Sequence, residues 1–150
     1  MTVRSAWAEN ARGDLEETDP DEVVVLVPVG AIEQHGTHLP VGTDTLIVEA
    51  ITRAAADRSD IAVTVPPHPF GYSPHHSGVP GTITLSSKTY LGVITDILNS
   101  LIDSGFTRLV IVNGHGGNRP LLKTAVTDVE DESDVSVAVV SYWDLVADEI

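Results

Sequence analysis

The sequence predicts an α/β fold, a mostly parallel sheet with helices on both faces, in one domain of 150 residues. Two observations carry this. Short apolar runs alternate along the chain with longer segments of helical period, the pattern that right-handed βαβ crossovers produce. The first run, Val23–Val29, is apolar without interruption, which suits a strand buried on both faces.

The elements follow in order. Residues 1–21 form a polar lead-in with a weak helical stretch over Trp7–Glu17. Val23–Val29 is the first strand, bounded by Asp21-Glu22 and Gly30. Leu46–Arg58 has helical spacing, with Leu46, Ile47, Ala50, Ile51, Ala54 and Ala55 on one side and Thr43 or Asp44 as its cap. Ile61–Val65 is a second strand. Pro66–Thr84 holds five prolines, three glycines and three of the six histidines, with little periodicity. Ordered loops of that length are usually functional. Ser86 or Ser87 caps an amphipathic helix built on Leu91, Ile94, Ile97, Leu98, Leu101 and Ile102, which stops at Gly105. Arg108–Val112 is the third strand, Asn118–Val129 a helix and Val135–Val140 the fourth strand; a further helix begins from Trp143. No internal repeat or low-complexity tract interrupts this order.

Composition narrows the chemistry. The chain has no cysteine, so disulfides, thiolate metal sites and a cysteine nucleophile are excluded, and any metal must be held by histidine and carboxylate. No window resembles a membrane span or a secretory leader, which implies a cytoplasmic protein. Asp and Glu outnumber Lys and Arg by 22 to 8, for a net charge of −14. Nucleic acid and anionic membranes are therefore excluded as partners by repulsion. The acids are scattered (Asp57, Asp60, Asp96, Asp103, Asp128, Glu130, Asp131, Glu132, Asp134) and form no single tail. That scatter points to the high-salt cytoplasm of a halophile, where screening keeps a carboxylate surface tolerable.

In a parallel sheet the cleft lies beyond the carboxyl ends of the strands. Glu33, His35 and Asp44 follow the first strand, the histidine-rich loop the second, and His115 the third. Two carboxylates and two imidazoles are what one or two divalent ions need for hydrolytic chemistry. Each has a plainer reading: Asp44 as a helix cap, Glu33 and His35 as loop polarity, His115 as an incidental residue of a tight turn. The turn Asn113-Gly114-His115-Gly116-Gly117-Asn118 also invites a phosphate-binding reading. It is neither a dinucleotide fingerprint nor a Walker loop, and it lacks the lysine. Adjacent His75 and His76 seldom share one metal, so at most one faces the cleft. His68 reads as a loop histidine. His38, Ser73 and Asn118 are candidates for touching substrate or supporting the ligands. No G-x-S-x-G elbow is present for serine catalysis.

These residues resemble a known family. The run from Gly30 through Glu33-Gln34-His35-Gly36 to Asp44 looks like the first signature of the creatininase (creatinine amidohydrolase) family, and Asn113–Asn118 like its second. Gly71–Thr82, with Ser73-Pro74-His75-His76, is similar to the loop between them. The resemblance implies a three-layer α/β/α sandwich, assembled as a homo-oligomer, commonly a hexamer. It implies two divalent ions, zinc or manganese: Glu33 and His115 on one, His35 on the other, Asp44 bridging. His76 matches a histidine of the family's pocket loop and is the candidate general acid. The implied activity is metal-dependent hydrolysis of a C–N bond in a small cyclic amide or formamide. Creatinine is the substrate of the name-giving members, and a formamidopyrimidine that of archaeal deformylases of riboflavin and deazaflavin biosynthesis. Gly117 stands where the name-giving members carry a glutamate ligand, which points away from creatinine itself. Family members also continue into a His-Ala-Gly-x-x-Glu-Thr-Ser-like segment, so the chain is expected to be truncated at its C-terminus. The competing expectations are a metal-binding remnant without catalysis and a nucleotide-binding βα domain.

Overall fold

In a computed structural model, residues 3–146 are described. Helix α1 (Arg12–Glu16) precedes strand β1 (Val24–Val29). Then come α2 (Thr43–Ala56), β2 (Ala62–Thr64), α3 (Ser87–Asp103), β3 (Leu109–Asn113), α4 (Arg119–Glu132) and β4 (Val137–Ser141). The four strands form one parallel sheet in the order β2-β1-β3-β4. The crossover through α2 leaves β1 in one direction, whereas those through α3 and α4 run in the other. Right-handed connections therefore place α2 on one face and α3, packed on α4, on the opposite face. The order reverses between β1 and β3. At such a switch point the loops leaving two adjacent strands part to opposite faces and open a crevice.

The main core lies between the sheet and the α3–α4 pair. Val25, Val27 and Val29 of β1 and Leu109 and Ile111 of β3 meet Tyr90, Ile94 and Leu98 of α3 and Leu122 and Val129 of α4. Helix α3 is capped as expected: Ser86 Oγ accepts from the Thr89 amide at 3.2 Å, and the chain turns out at Gly105 with φ of 93°. Pro28 lies within central β1, where a missing N–H would ordinarily cost a ladder bond. Its partner strand β2 has already ended at Thr64, and the Pro28 carbonyl accepts from His68 N at 2.9 Å.

Four local expectations are corrected. The lead-in is not one helix over Trp7–Glu17 but a 3₁₀ turn, Trp7–Glu9, and the separate α1. Asn10 makes the break: its side chain accepts from Arg4 N at 2.8 Å and donates to the Ala6 carbonyl at 3.0 Å, giving the backbone an alternative to helix. Helix α2 starts at Thr43 with Gly42 as its cap, so neither Thr43 nor Asp44 caps it. It also buries the other side: Thr45, Val48, Thr52 and Ala56 face the sheet, while Leu46 is 55% exposed and Ile47 and Ile51 are exposed with it. The reason is close approach. A Cβ on Gly30 would lie 2.4 Å from Thr45 Oγ1, so only small residues fit where α2 meets the end of β1. Beyond β4, a 3₁₀ turn over Tyr142–Leu145 stands where a helix from Trp143 was expected; residues 147–150 lie outside the described residues. No helix among the described residues is long and apolar enough to cross a membrane.

This assignment of faces has a direct test in equilibrium denaturation. Leu98→Ala should lower the unfolding free energy by about 2–5 kcal/mol and Val48→Ala by about 1–3 kcal/mol. Ala55→Ser, on the side the periodicity would bury, should stay within about 0.5 kcal/mol.

Candidate metal centre

Three segments are fastened together at the carboxyl ends of β1 and β3. After β1 the chain runs extended through Ala31 and Glu33, and Glu33 N donates to the Val41 carbonyl at 2.9 Å, closing the intervening loop. Thr45 Oγ1 donates to the Ala31 carbonyl at 3.1 Å and holds the first turn of α2 against that segment. This brings Asp44 to the strand end, at a helix N-terminus where the peptide dipole favours a carboxylate. After β3, the Asn113 side chain brackets the next turn: it accepts from His115 N at 3.1 Å and donates to the His115 carbonyl at 2.8 Å. Wholly buried Asn118 ties the loops to one another. It accepts from Tyr72 N at 2.9 Å and donates to the Gly30 carbonyl at 3.0 Å.

The four expected ligands come together. Asp44 Oδ1 lies 3.0 Å from His35 Nε2, and Asp44 Oδ2 lies 3.0 Å from His115 Nδ1. Glu33 Oε1 lies 3.3 Å from the same His115 nitrogen. Glu33 and His115 are buried; His35 and Asp44 are half-buried. Asp44 therefore faces the cluster with both oxygens, between the two imidazoles.

Backbone carbonyls decide which nitrogen of each ring carries a proton. His35 Nδ1 donates to the Glu33 carbonyl at 3.1 Å. His115 Nε2 donates to the Tyr72 carbonyl at 3.1 Å, with Ser73 Oγ at 3.1 Å from it. A carbonyl only accepts, so the opposite nitrogen of each neutral ring presents a bare lone pair. Those lone pairs point at carboxylate oxygens, which are acceptors too. Either a proton or a metal cation must lie between them. Burial opposes charge on both rings, yet both are raised above the ordinary histidine value. For His115 the Asp44 hydrogen bond, the Glu33 charge and the Tyr72 carbonyl outweigh burial; for His35 the Glu33 carbonyl and Asp44 do so.

The donor set fits divalent cations. Glu33 Oε2 and Asp44 Oδ2 are buried without an aligned hydrogen-bond partner, an arrangement that costs free energy unless a cation completes it. Among the described residues, the ion-pair partners of Glu33 and Asp44 are all imidazoles. Glu33, His35 and Asp44 offer ligand atoms within 4.8 Å of one another, as do Glu33, His75 and His115. Nitrogen and carboxylate oxygen without thiolate suit zinc or manganese.

The remaining candidates divide. Ser73 is wholly buried and touches His115 rather than open space, so it orients that ring. Asn118 likewise holds backbone. His38 stands exposed on the turn after Gly36. His76 is held by Gln34, whose Nε2 donates to His76 Nδ1 at 3.0 Å and whose Oε1 accepts from Gly36 N at 3.0 Å. His68 is half-buried and has its pKa lowered by burial, partly offset by a hydrogen bond with the Phe70 backbone; Gly30 N donates to its carbonyl at 2.9 Å. Sequence reasoning allowed one of His75 and His76 at the cleft and took His76; it missed the parts played by Gln34, Asn113 and Tyr142. The phenol of Tyr142 is raised by burial and by the Asp44 charge, and the Asn113 side chain donates to Ser141 Oγ at 3.2 Å, which sets the end of β4 beside the turn that carries His115. For Gln34 the one signal was its place between Glu33 and His35.

The sequence model of the creatinine amidohydrolase family matches residues 8–149. Creatinine amidohydrolase of Pseudomonas putida is 36% identical over 138 residues, 85% of this chain and 53% of that protein. The mycofactocin precursor peptide peptidase of Mycolicibacterium smegmatis is 42% identical over 110 residues, 69% of this chain and 43% of that protein. Solved creatininases, one of a Zn–Zn type and one a manganese form, superpose with a TM-score of 0.87 at 30% identity, covering 96% of this chain and 60% of theirs. The chain thus spans about half the length of the curated relatives it matches.

Proposed function

The chain belongs to the creatininase family, and we propose that it hydrolyses a C–N bond of a small cyclic amide or formamide at a centre of two divalent ions, zinc or manganese. The observation that carries this is the pair of imidazole lone pairs facing buried carboxylates without a proton of their own between them. Glu33 and His115 would hold one ion, His35 the other, and Asp44 both, since its two oxygens face the two rings.

When bound, the ions supply Lewis acidity toward the amide oxygen and a water acidic enough to attack near neutral pH. The residues supply orientation and protons. The Glu33 and Tyr72 carbonyls and Ser73 hold both imidazoles in the liganding tautomer. An amide nitrogen leaves only if protonated. Gln34 Nε2 lies 3.0 Å from Nδ1 and 3.4 Å from Nε2 of His76 and so holds that ring, whose proton would pass to the departing nitrogen. In the balance, the oxygen of one water ends on the acyl carbon and a proton on nitrogen. Relatives whose names specify creatinine and a precursor peptide differ in substrate, and Gly117 presents no side chain to the cleft. The substrate class is therefore set by the amide bond rather than by creatinine.

The exposed stripe of Leu46, Ile47 and Ile51 supports self-association, because apolar side chains grouped on a helix face mark interfaces. The scattered charge of −14 supports a salt-rich cytoplasm as its setting.

Two experiments test these readings. Protein loaded with zinc or manganese is assayed on creatinine, a formamidopyrimidine and a short peptide, at low and at molar KCl. Turnover should appear on at least one amide, be higher at molar KCl, vanish on chelation, and fall about 100-fold or more in Asp44→Ala. Tight metal binding with no turnover would favour a binding role instead. In light scattering, the double substitution Leu46→Glu with Ile47→Glu should shift the protein to a smaller mass; an unchanged mass contradicts the interface.

A further inference from the structure

One oxygen of the cluster has no partner in the scheme above. Glu33 Oε1 faces His115, but Glu33 Oε2 is buried and unpaired. The imidazole beside it is His75, whose Nε2 is 3.9 Å away. His75 comes from the loop after β2, in the 3₁₀ turn Pro74–His76. A 3₁₀ turn sets successive side chains about 120° apart. His75 therefore points to Glu33 while His76 points to Gln34, their rings inclined at 50°. The His75 ring lies parallel to that of His115, with 5° between the planes and 6.0 Å between centroids. Glu33, His75 and His115 form a set distinct from Glu33, His35 and Asp44.

The turn after His115 cannot supply that ligand instead. A Cβ at Gly117 would lie 2.4 Å from His115 Nε2 and 2.4 Å from the Tyr72 carbonyl oxygen. The first is the nitrogen whose proton that carbonyl accepts, in a ring only 4% exposed. With the backbone as it stands here, a side chain at residue 117 would require the His115 ring or the Tyr72 carbonyl to shift.

We propose that His75 is a further metal ligand of this chain, completing with Glu33 and His115 the coordination of one ion. This rests on the two-metal reading above. Donors on one tetrahedral ion at about 2.0–2.2 Å stand roughly 3.3–3.6 Å apart, so the His75 ring has only a short distance to close. Its side chain is 53% exposed and free to do so. The ligand is neutral and borne on a loop, so it fills a coordination position without adding charge to a cluster that already holds two carboxylates. It also leaves that position open to exchange with a small donor from solvent.

Metal binding itself tests the proposal. Metal-free wild type, His75→Ala and His76→Ala are titrated with Zn²⁺ by calorimetry and with Co²⁺ by its visible absorption, which reports ligand number. Circular dichroism checks that each variant folds. Wild type should bind two ions. His75→Ala should keep one and bind the other at least about 10-fold more weakly, with an altered Co²⁺ band that added imidazole restores. His76→Ala, whose ring faces Gln34, should match wild type. If His75→Ala binds both ions with wild-type affinity and spectrum, the assignment of His75 is overturned and the two-metal reading stands. If wild type binds no ion, both fall.

Discussion

Two backbone carbonyls, those of Glu33 and Tyr72, fix the electrical character of this cleft. Each accepts the N–H of an imidazole, His35 in one case and His115 in the other. Neither ring can then offer a proton to Asp44 or Glu33 while it stays neutral. The cleft holds two carboxylates with, among the described residues, no lysine or arginine paired to them. It is therefore short of positive charge by construction, and protons or divalent cations must make up the difference. Histidines free to turn either nitrogen toward the carboxylates would satisfy the site by themselves, as ordinary hydrogen-bonded pairs.

Holding those carbonyls in place is the work of the scaffold. The sheet reverses its winding between β1 and β3, which opens the crevice. Asn118 then spans it, binding the Gly30 carbonyl after β1 and the Tyr72 amide in the loop after β2. Tyr72 thus has its amide held by Asn118 while its carbonyl directs His115. Gly30 serves the same end by letting Thr45, and with it Asp44, approach the strand end. The net result is a frame of polar side chains that bind backbone, around two carboxylates whose ion-pair partners among the described residues are imidazoles. Sites of this kind keep their geometry whether or not the cation is present.

Much of this was legible in the sequence. Val23–Val29 and Arg108–Val112 read as buried strands because their apolar runs are continuous, and β1 and β3 sit within a residue of those bounds. Glu33, His35, Asp44 and His115 were legible because each follows a strand end, and the fold brings all such ends to one edge. The face of α2 was not: Leu46, Ile47 and Ile51 are the more apolar residues, but close contact with Gly30 admits only the side bearing Thr45 and Val48. The ring tautomers could not be read either, since they depend on loop carbonyls far along the chain from His115. Likewise the choice between His75 and His76 turns on a single 3₁₀ turn, which periodicity does not register. Ser73 and Asn118 were found as polar residues near the motifs, but their partners, a ring nitrogen and two backbone groups, appear only in three dimensions.

The central claim is that divalent ions replace protons between fixed imidazoles and carboxylates. It is tested most directly by counting protons released when metal-free protein takes up Zn²⁺. Calorimetric titration at about pH 6, close to the ordinary histidine value, is repeated in buffers of different ionisation enthalpy. With His35 and His115 both raised above that value, uptake should release more than one proton per protein, and His115→Gln should lower the count. Zinc binding with no dependence on the buffer, or no binding at all, would contradict the account.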